Sequence, residues 1–494
     1  MAKTTVTWQI KQYAKETPEK TAIIVGDTLL NYRCLYEKIS AAVHFLQSRG
    51  VKKGSHVVSV AKPSFDYIIC LYAVLGIGAI QIPVENRIPM ERLISIANMV
   101  DADFIISEEP CTTDDKWIDL DSIDYNSSDV DWNPVEVSDD CSEIIFTTGT
   151  TGRSKGVMLS SSCLDTYLPV MNSSFGLNEN SVFLLTTPLN HVGGMHRIHQ
   201  CMSAGCTIII MDGIRDLKAF FAYANNYGVT HTYLPPASVK MITTLAKKQI
   251  AALDGKLEFI YTASAPFPVK DIETLMELLP HTRLHQGYGS SETGSICNCQ
   301  YNAPNESIDS LGKPYSCVEV FLEDENGNRI HEPYKAGFIR SRSRMNMLGY
   351  YKEPELTSTV LKDGFIYSND LMFFDEEGNL HFAGRGDDVI NIRGFKVAPT
   401  EVEDCALKLQ DILDCACIPY EDHALGRVMK LLVCIKDGSE FKPKEISAYL
   451  SKELEPYKIP QYIETVSEIV RTPNGKMNRK EMIRLYSNTG NKGA

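Results

Sequence analysis

The sequence has no Cys-x-x-Cys pair among its 14 cysteines, and the closest spacings, Cys297/Cys299 and Cys415/Cys417, are poor for a tetrahedral zinc site. Most of the thiols are therefore expected to be reduced, buried small hydrophobes of a cytoplasmic protein. Long apolar runs are also missing. The longest, Tyr67 to Ile80, is about fourteen residues with two glycines inside, short of a membrane span, and reads as a buried helix leading into a strand. The opening stretch "MAKTTVTWQIKQYAKETPEK" has no apolar centre, so no secretory leader is expected in it. Positive charge is in deficit, with 49 Lys and Arg against 63 Asp and Glu and a net charge of −14. Nucleic acid and anionic membrane both need clustered cations, so neither is expected as a main partner. A small anionic ligand feels only its own pocket and is not excluded.

What is present is an ordinary globular composition, 44% hydrophobic and 23% charged, in a chain of 494 residues, long enough for two or more domains. "TAIIV" and "TLLNY" around Gly26-Asp27 predict a hairpin. Leu35, Ile39, Val43 and Leu46 recur at helical spacing, with Gly50 placed to end the helix. "HVVSV", Tyr67 to Leu75 and "AIQIPV" then read as strand, helix, strand, and similar alternation continues to "LEFIYTASAP". The fold class implied is α/β, with parallel-type sheets covered by helices. Residues 111–141 are acidic and polar and read as an exposed excursion. After residue 310, period-two alternation around Asn-Gly and Glu-Gly turns suggests a smaller β-rich subdomain, 310–386. The pattern then becomes α+β. The expected division is 1–386 for a large N-terminal domain and 387–494 for a small C-terminal one.

"IIFTTGTTGRSKGVMLS" places Thr147, Thr148, Gly149, Thr150, Thr151, Gly152 and Lys155 in one short loop. Hydroxyls, backbone N–H groups and one cation are the chemistry of phosphate binding. The loop is not a Walker A motif: Ser154 lies five residues beyond Gly149 and Val157 five beyond Gly152, so neither glycine leads to the required Gly-Lys. It is not a dinucleotide fingerprint either, because "GVMLS" looks like a strand rather than a helix.

The string "TTGTTGRSKG" resembles the phosphate loop of the adenylate-forming enzymes, the superfamily of acyl-CoA and aryl-CoA ligases, firefly luciferase and peptide-synthetase adenylation domains. It departs from that pattern only in Ser154, where proline is usual. Further motifs follow in the family's order over essentially the whole chain. "PLNHVGGM" makes His191 similar to the histidine at the floor of the acyl pocket, which Gly193, Gly194, Met195 and Ala263 would line. "QGYGSSET" makes Tyr288 similar to the residue that stacks on adenine and Glu292 to the carboxylate that helps hold Mg²⁺, with Ser291 in place of threonine. The resemblance also implies that Ala265, Gln286 and Gly287 border the nucleotide.

"YSNDL" makes Asp370 similar to the acid that accepts the ribose hydroxyls. Asn369 stands where the family has glycine, and its tolerance of left-handed backbone is expected to preserve the turn. "AGRGDDVINIRGFKV" makes Arg385 similar to the ribose- and phosphate-contacting arginine, Asp387 to the hinge residue, and Arg393-Gly394 to the turn that approaches pantetheine. "TPNGKMNRKEM" makes Lys476 similar to the lysine that stabilises the adenylation transition state.

What the resemblance implies is an acid–thiol ligase that uses ATP, Mg²⁺ and CoA to activate an aryl or medium-chain acid as acyl-AMP. No acid follows the His191 motif to hold an amino group, so an amino-acid substrate is not expected. Small residues in the pocket suggest room for an aryl or acyl group, and Arg197 and His196 could pair with a second polar group on it. The alternatives are a stand-alone enzyme loading an acyl carrier protein, a luciferase-like monooxygenase, and an inactive nucleotide binder. Retention of Lys155, Glu292, Asp370, Arg385 and Lys476 argues against the last.

Overall fold

The computed structural model describes residues 4–107, 115–125, 132–147, 155–265, 267–304, 306–392, 395–422, 425–472 and 476–486. The predicted hairpin forms from Thr21–Val25 and Thr28–Asn31, paired antiparallel across Gly26, whose φ is +61°. The predicted helix follows as Tyr32–Ser48, with the Asn31 side chain accepting from Cys34 N at its start. The apolar run becomes helix Phe65–Ile77. Ser64 caps its first turn and Gly78 ends it in the left-handed conformation, φ +82°. A helix apolar on every side must be enclosed on every side, and Tyr67 through Val74 are all buried.

That enclosure comes from two sheets. One has eight strands in the order Gly294–Gln300, Arg283–Ser290, Phe259–Thr262, His231–Tyr233, Val182–Leu185, Thr207–Ile210, Thr21–Val25, Thr28–Asn31. Its six inner strands are parallel and its two edges antiparallel. The other has seven, in the order Gly349–Tyr350, Lys155–Ser160, Cys141–Thr147, Ile80–Val84, His56–Val60, Phe104–Ser107, Trp117–Asp119. The largest core cluster joins side chains from both sheets to those of the helices Phe65–Ile77, Ser161–Phe175 and Val192–Ala204. Strands covered on both faces read as continuous apolar runs, and Phe259–Thr262 is buried throughout.

The β-rich region is an antiparallel sheet of six strands running from Glu319–Glu323 to Leu380–Arg385. Beyond it, a two-stranded ribbon, Ile390–Ile392 with Phe395–Val397, precedes a three-stranded sheet flanked by helices Pro399–Leu407, Pro443–Glu453 and Arg479–Tyr486. The sequence-based reading of the acidic stretch needs correction. Where residues 111–141 are described, Trp117, Ile118, Leu120 and Ile123 are buried and Trp117–Asp119 adds an edge strand. Trp132 fills a space against Gly76 so tightly that a Cβ there would lie 2.1 Å from its ring. Ten of the thirteen described cysteines are buried, as expected for thiols used as small hydrophobes.

Within the C-terminal region a buried ion pair ties three elements together. Arg479 Nη1 donates to Glu403 Oε1 at 2.5 Å and to the Cys417 carbonyl at 2.5 Å, and Nη2 donates to Glu403 Oε2 at 3.2 Å. Glu403 Oε1 also accepts from Cys417 N at 2.6 Å. Removing either partner of such a pair strands the other charge, at a cost of about 3–5 kcal/mol. Arg479→Met should therefore lower the calorimetric melting transition of this region. An unchanged transition would show that the pair does not support the fold.

Candidate functional site

The parallel strands set the site's position. Ligands of such sheets gather outside the strands' C-terminal ends, and there the chain presents His191, Ala263 and Tyr288, after Val182–Leu185, after Phe259–Thr262 and near the end of Arg283–Ser290. Gly287 has no room for a side chain, since a Cβ would lie 1.8 Å from the Tyr261 hydroxyl. The Gln286 Oε1 atom beside it is buried without a hydrogen-bond partner. A turn follows in which Ser290 Oγ accepts from Glu292 N at 3.2 Å and Thr293 N at 3.3 Å.

The antiparallel sheet supplies the opposite wall. Asp370 and Arg385 are cross-strand partners in register. Asp370 Oδ2 accepts from the Tyr288 hydroxyl at 2.7 Å, while its Oδ1 lies 3.5 Å from Arg385 Nε, too long for a hydrogen bond. Asp370 Oδ1 and Arg385 Nε are thus both buried and unsatisfied. Burial and the Asp370 charge raise the Tyr288 phenol well above its usual pKa, so it stays a donor. Asn369 is a correction to the sequence reading. It lies inside strand Phe365–Phe374 with no positive φ, and its side-chain amide donates to Asp387 at 3.2 and 3.3 Å.

Of the hydroxyl-rich loop, Thr147 and Lys155 are described, as the closing pair of an antiparallel hairpin, so "GVMLS" is a strand as expected. Thr148, Gly149, Thr150, Thr151 and Gly152 lie outside the described residues, as do Arg393 and Gly394. The Lys155 ammonium sits 5.2 Å from the Tyr350 ring centroid, and the Tyr350 hydroxyl donates to Glu292 Oε1 at 3.0 Å. Tyr350 therefore joins the end of the phosphate-type loop to the acidic turn. It belongs to no motif in the sequence, and only its pairing with Val157 across the sheet brings it there.

Lys476 completes the cleft from the C-terminal region. Its backbone N–H donates to Thr472 Oγ1 at 3.2 Å. Its side chain is open to solvent, yet the protein around it lowers its pKa. Arg385 lowers it further, and Asp370 and Glu292 oppose that. The structure thus brings Glu292, Tyr288, Asp370, Arg385 and Lys476 to one cleft. His191 is the N-cap of helix Val192–Ala204. Gly193 lies against Tyr233, Gly194 against the Pro188 carbonyl, and Met195 is fully buried. Ala263 is partly buried and precedes Ser264, a residue the motifs did not mark, which has φ +76° and bonds the Tyr233 hydroxyl at 2.6 Å. Ser291 and Ala265 are partly exposed near these walls.

A mixed α/β body, an antiparallel third sheet and a small α+β region bearing a cleft lysine define an AMP-binding fold. The chain belongs to the AMP-binding enzyme family, matching it over residues 10–351 and matching the AMP-binding enzyme C-terminal domain over residues 401–476. It is 28% identical to the 4-coumarate–CoA ligase-like protein 4 of Oryza sativa subsp. japonica over 70% of this chain and 63% of that one. It is 26% identical to the 2-succinylbenzoate–CoA ligase of Bacillus thuringiensis subsp. konkukian over 98% of this chain and 99% of that one. The match to that rice protein spans 63% of its length, and that to the peroxisomal OPC-8:0-CoA ligase 1 of Arabidopsis thaliana 64%. The fold superimposes on ATP-bound MatB from Rhodopseudomonas palustris with a TM-score of 0.88 at 20% identity, covering 98% of this chain and 99% of that one. No helix among the described residues is long and apolar enough to cross a membrane.

The electrostatics of the cleft give a test that needs no substrate. Because Arg385 lowers the Lys476 pKa and Asp370 raises it, Arg385→Met should move the Lys476 titration up and Asp370→Asn should move it down. NMR of ¹³C-dimethylated lysines would follow both. A Lys476 signal that ignores both changes would mean that the lysine does not face these groups.

Proposed function

We propose that the protein is an ATP-dependent carboxylic acid–CoA ligase that activates an aryl or medium-chain acid as its acyl-AMP and then forms the CoA thioester. The observation that carries this reading is that the Tyr288 hydroxyl meets Asp370 at 2.7 Å beside its cross-strand partner Arg385, while Tyr350 links Glu292 to Lys155, with the Lys476 charge felt from the C-terminal region. Family membership and the names of the relatives support it.

A carboxylate cannot expel oxide to a thiol, so the acid first needs a leaving group. In the proposed first step a substrate carboxylate oxygen attacks the ATP α-phosphorus. The bond to the β-phosphate breaks, and pyrophosphate leaves with the electron pair. Thr147, Lys155 and the loop 148–152 hold the β- and γ-phosphates. Tyr288 offers its ring to adenine, bordered by Gly287 and Ala265, and the open Gln286 acceptor suits an adenine N–H. Asp370 and Arg385, each with an unsatisfied atom, take the ribose hydroxyls. Lys476 donates to the oxygens on which charge develops. Glu292, with one oxygen held by Tyr350 and hard-oxygen chemistry beside the phosphate loop, fits Mg²⁺, which when bound supplies charge neutralisation of the phosphates. Ser291 keeps a hydroxyl next to it.

In the second step the CoA thiol loses its proton, its sulfur attacks the acyl carbon, and AMP leaves. For this the unit 387–494 turns about Asp387, taking Lys476 out and bringing the Arg393-Gly394 turn to the thiol. The Asn369–Asp387 hydrogen bonds are positioned to hold the first arrangement. A cytoplasmic location and small-molecule partners, acid, ATP and CoA, complete the reading.

The test is pyrophosphate release with MgATP over a panel of acids, with and without CoA. Continuous release only with CoA is expected. A single equivalent unaffected by CoA would transfer the reading to an acyl carrier protein as acceptor. Lys476→Ala should slow pyrophosphate release about 10²–10³-fold and leave thioester formation from supplied acyl-AMP unaffected. Equal loss of both steps would refute the division of labour between the two arrangements.

A further inference from the structure

Helix Val192–Ala204, which begins at His191, buries His196, Arg197, His199 and Gln200 within five residues. An amphipathic surface helix would turn such residues to water. His199 is satisfied by Glu143 at 3.0 Å and by the Tyr72 hydroxyl at 3.1 Å. The other three are not. Both ring nitrogens of His196, Arg197 Nε and Nη1, and both amide atoms of Gln200 are buried without a hydrogen-bond partner.

Arg197 is the most demanding of them. It is 3% exposed, and among the described residues no carboxylate lies within ion-pair distance of it. One nitrogen donates to the Tyr167 hydroxyl. The rest of the guanidinium lies among the rings of Phe175 at 5.0 Å, Tyr261 at 5.3 Å, and Tyr167 and Tyr233 at 5.9 Å. Ring faces partly compensate a cation, but they leave Nε–H and Nη1–H without acceptors, and a buried charge is normally paired.

The same rings border the candidate acyl pocket. Tyr233 lies 3.1 Å from where a Gly193 Cβ would be, and its hydroxyl holds Ser264. The Tyr261 hydroxyl lies 1.8 Å from where a Gly287 Cβ would be. Arg197 is therefore placed against the aromatic wall that Gly193 and Gly287 adjoin, with two open donors.

We infer that Arg197 receives a second carboxylate at the far end of the substrate, so that the acids this protein activates are dicarboxylic; the inference rests on the adenylating reading above. His196, whose ring is 4.7 Å from that of Tyr167, adds a neutral polar edge, because burial, then neighbouring His199, then Arg197 push its pKa well below the usual histidine range. One cation with neutral neighbours matches one negative charge. The reacting carboxylate and the recognised carboxylate then occupy opposite ends of the pocket, which also orients the acid.

The experiment uses matched pairs with and without the second carboxylate, such as adipate and hexanoate or phthalate and benzoate, with the native chain and with Arg197→Met. Pyrophosphate release is read as kcat/KM and acid binding by calorimetry in the presence of ATP. The native protein should favour the diacid of at least one pair by about 10²-fold or more, because a site built around a polar group strongly rejects an analogue lacking it. In Arg197→Met that preference should fall to within a few-fold, with monoacid turnover retained. An ATP-induced rise in melting temperature in the variant verifies that it is folded. Native turnover of monoacids as fast as diacids overturns the inference and leaves the ligase reading intact. So does a folded variant that loses both members of a pair equally, which marks Arg197 as a prop for the wall. If no acid releases pyrophosphate, the ligase reading fails; diacid-specific binding heat that depends on Arg197 would still uphold the anion site, and its absence would overturn that too.

Discussion

The cleft depends on like charges being held near one another beside carboxylates that are already partly engaged elsewhere. Arg385 makes the Lys476 charge more costly, and the carboxylates that oppose this, Asp370 and Glu292, are partly committed to tyrosines. In water such an arrangement would relax by side-chain rotation. Here Arg385 is fixed by its strand register with Asp370, Glu292 by a turn docked on the Met347 N–H, and Lys476 by a separate structural unit. On the reading proposed above, a bound polyanion with several acceptors relieves that repulsion.

Much of this was legible in the sequence because local rules and the motif series agree. The hairpin, the all-round buried helix and the period-two alternation of the third sheet follow from turn residues and periodicity, and each forms where expected. Tyr288, Asp370, Arg385 and Lys476 were marked by their motifs and meet in space. Tyr350, Ser264 and the Asn369–Asp387 contact were not legible. Tyr350 reaches Glu292 over 58 residues through a two-residue strand, and no periodicity encodes a contact of that kind. Asn369 was expected to matter for backbone conformation, whereas it acts by its side-chain amide within an extended strand. The acidic stretch misled for a different reason. Its charge count hid a few apolar residues, and Trp117 and Trp132 do the packing.

Six of the residues that carry buried polar atoms without hydrogen-bond partners lie in two places. Gln286 Oε1, Asp370 Oδ1 and Arg385 Nε lie where the nucleotide is proposed to bind, and His196, Arg197 and Gln200 where the acid is proposed to bind. Each unsatisfied buried group costs about 1–3 kcal/mol, so together they are a large fraction of the net stability of a typical domain, about 5–15 kcal/mol. A fold selected for stability alone would replace them with apolar side chains of similar volume, which is often neutral or stabilising. On the proposed reading their partners come from the ligands, so the unliganded state carries their cost. Ligands that supply the missing acceptors and donors therefore stabilise the body of the protein as they bind.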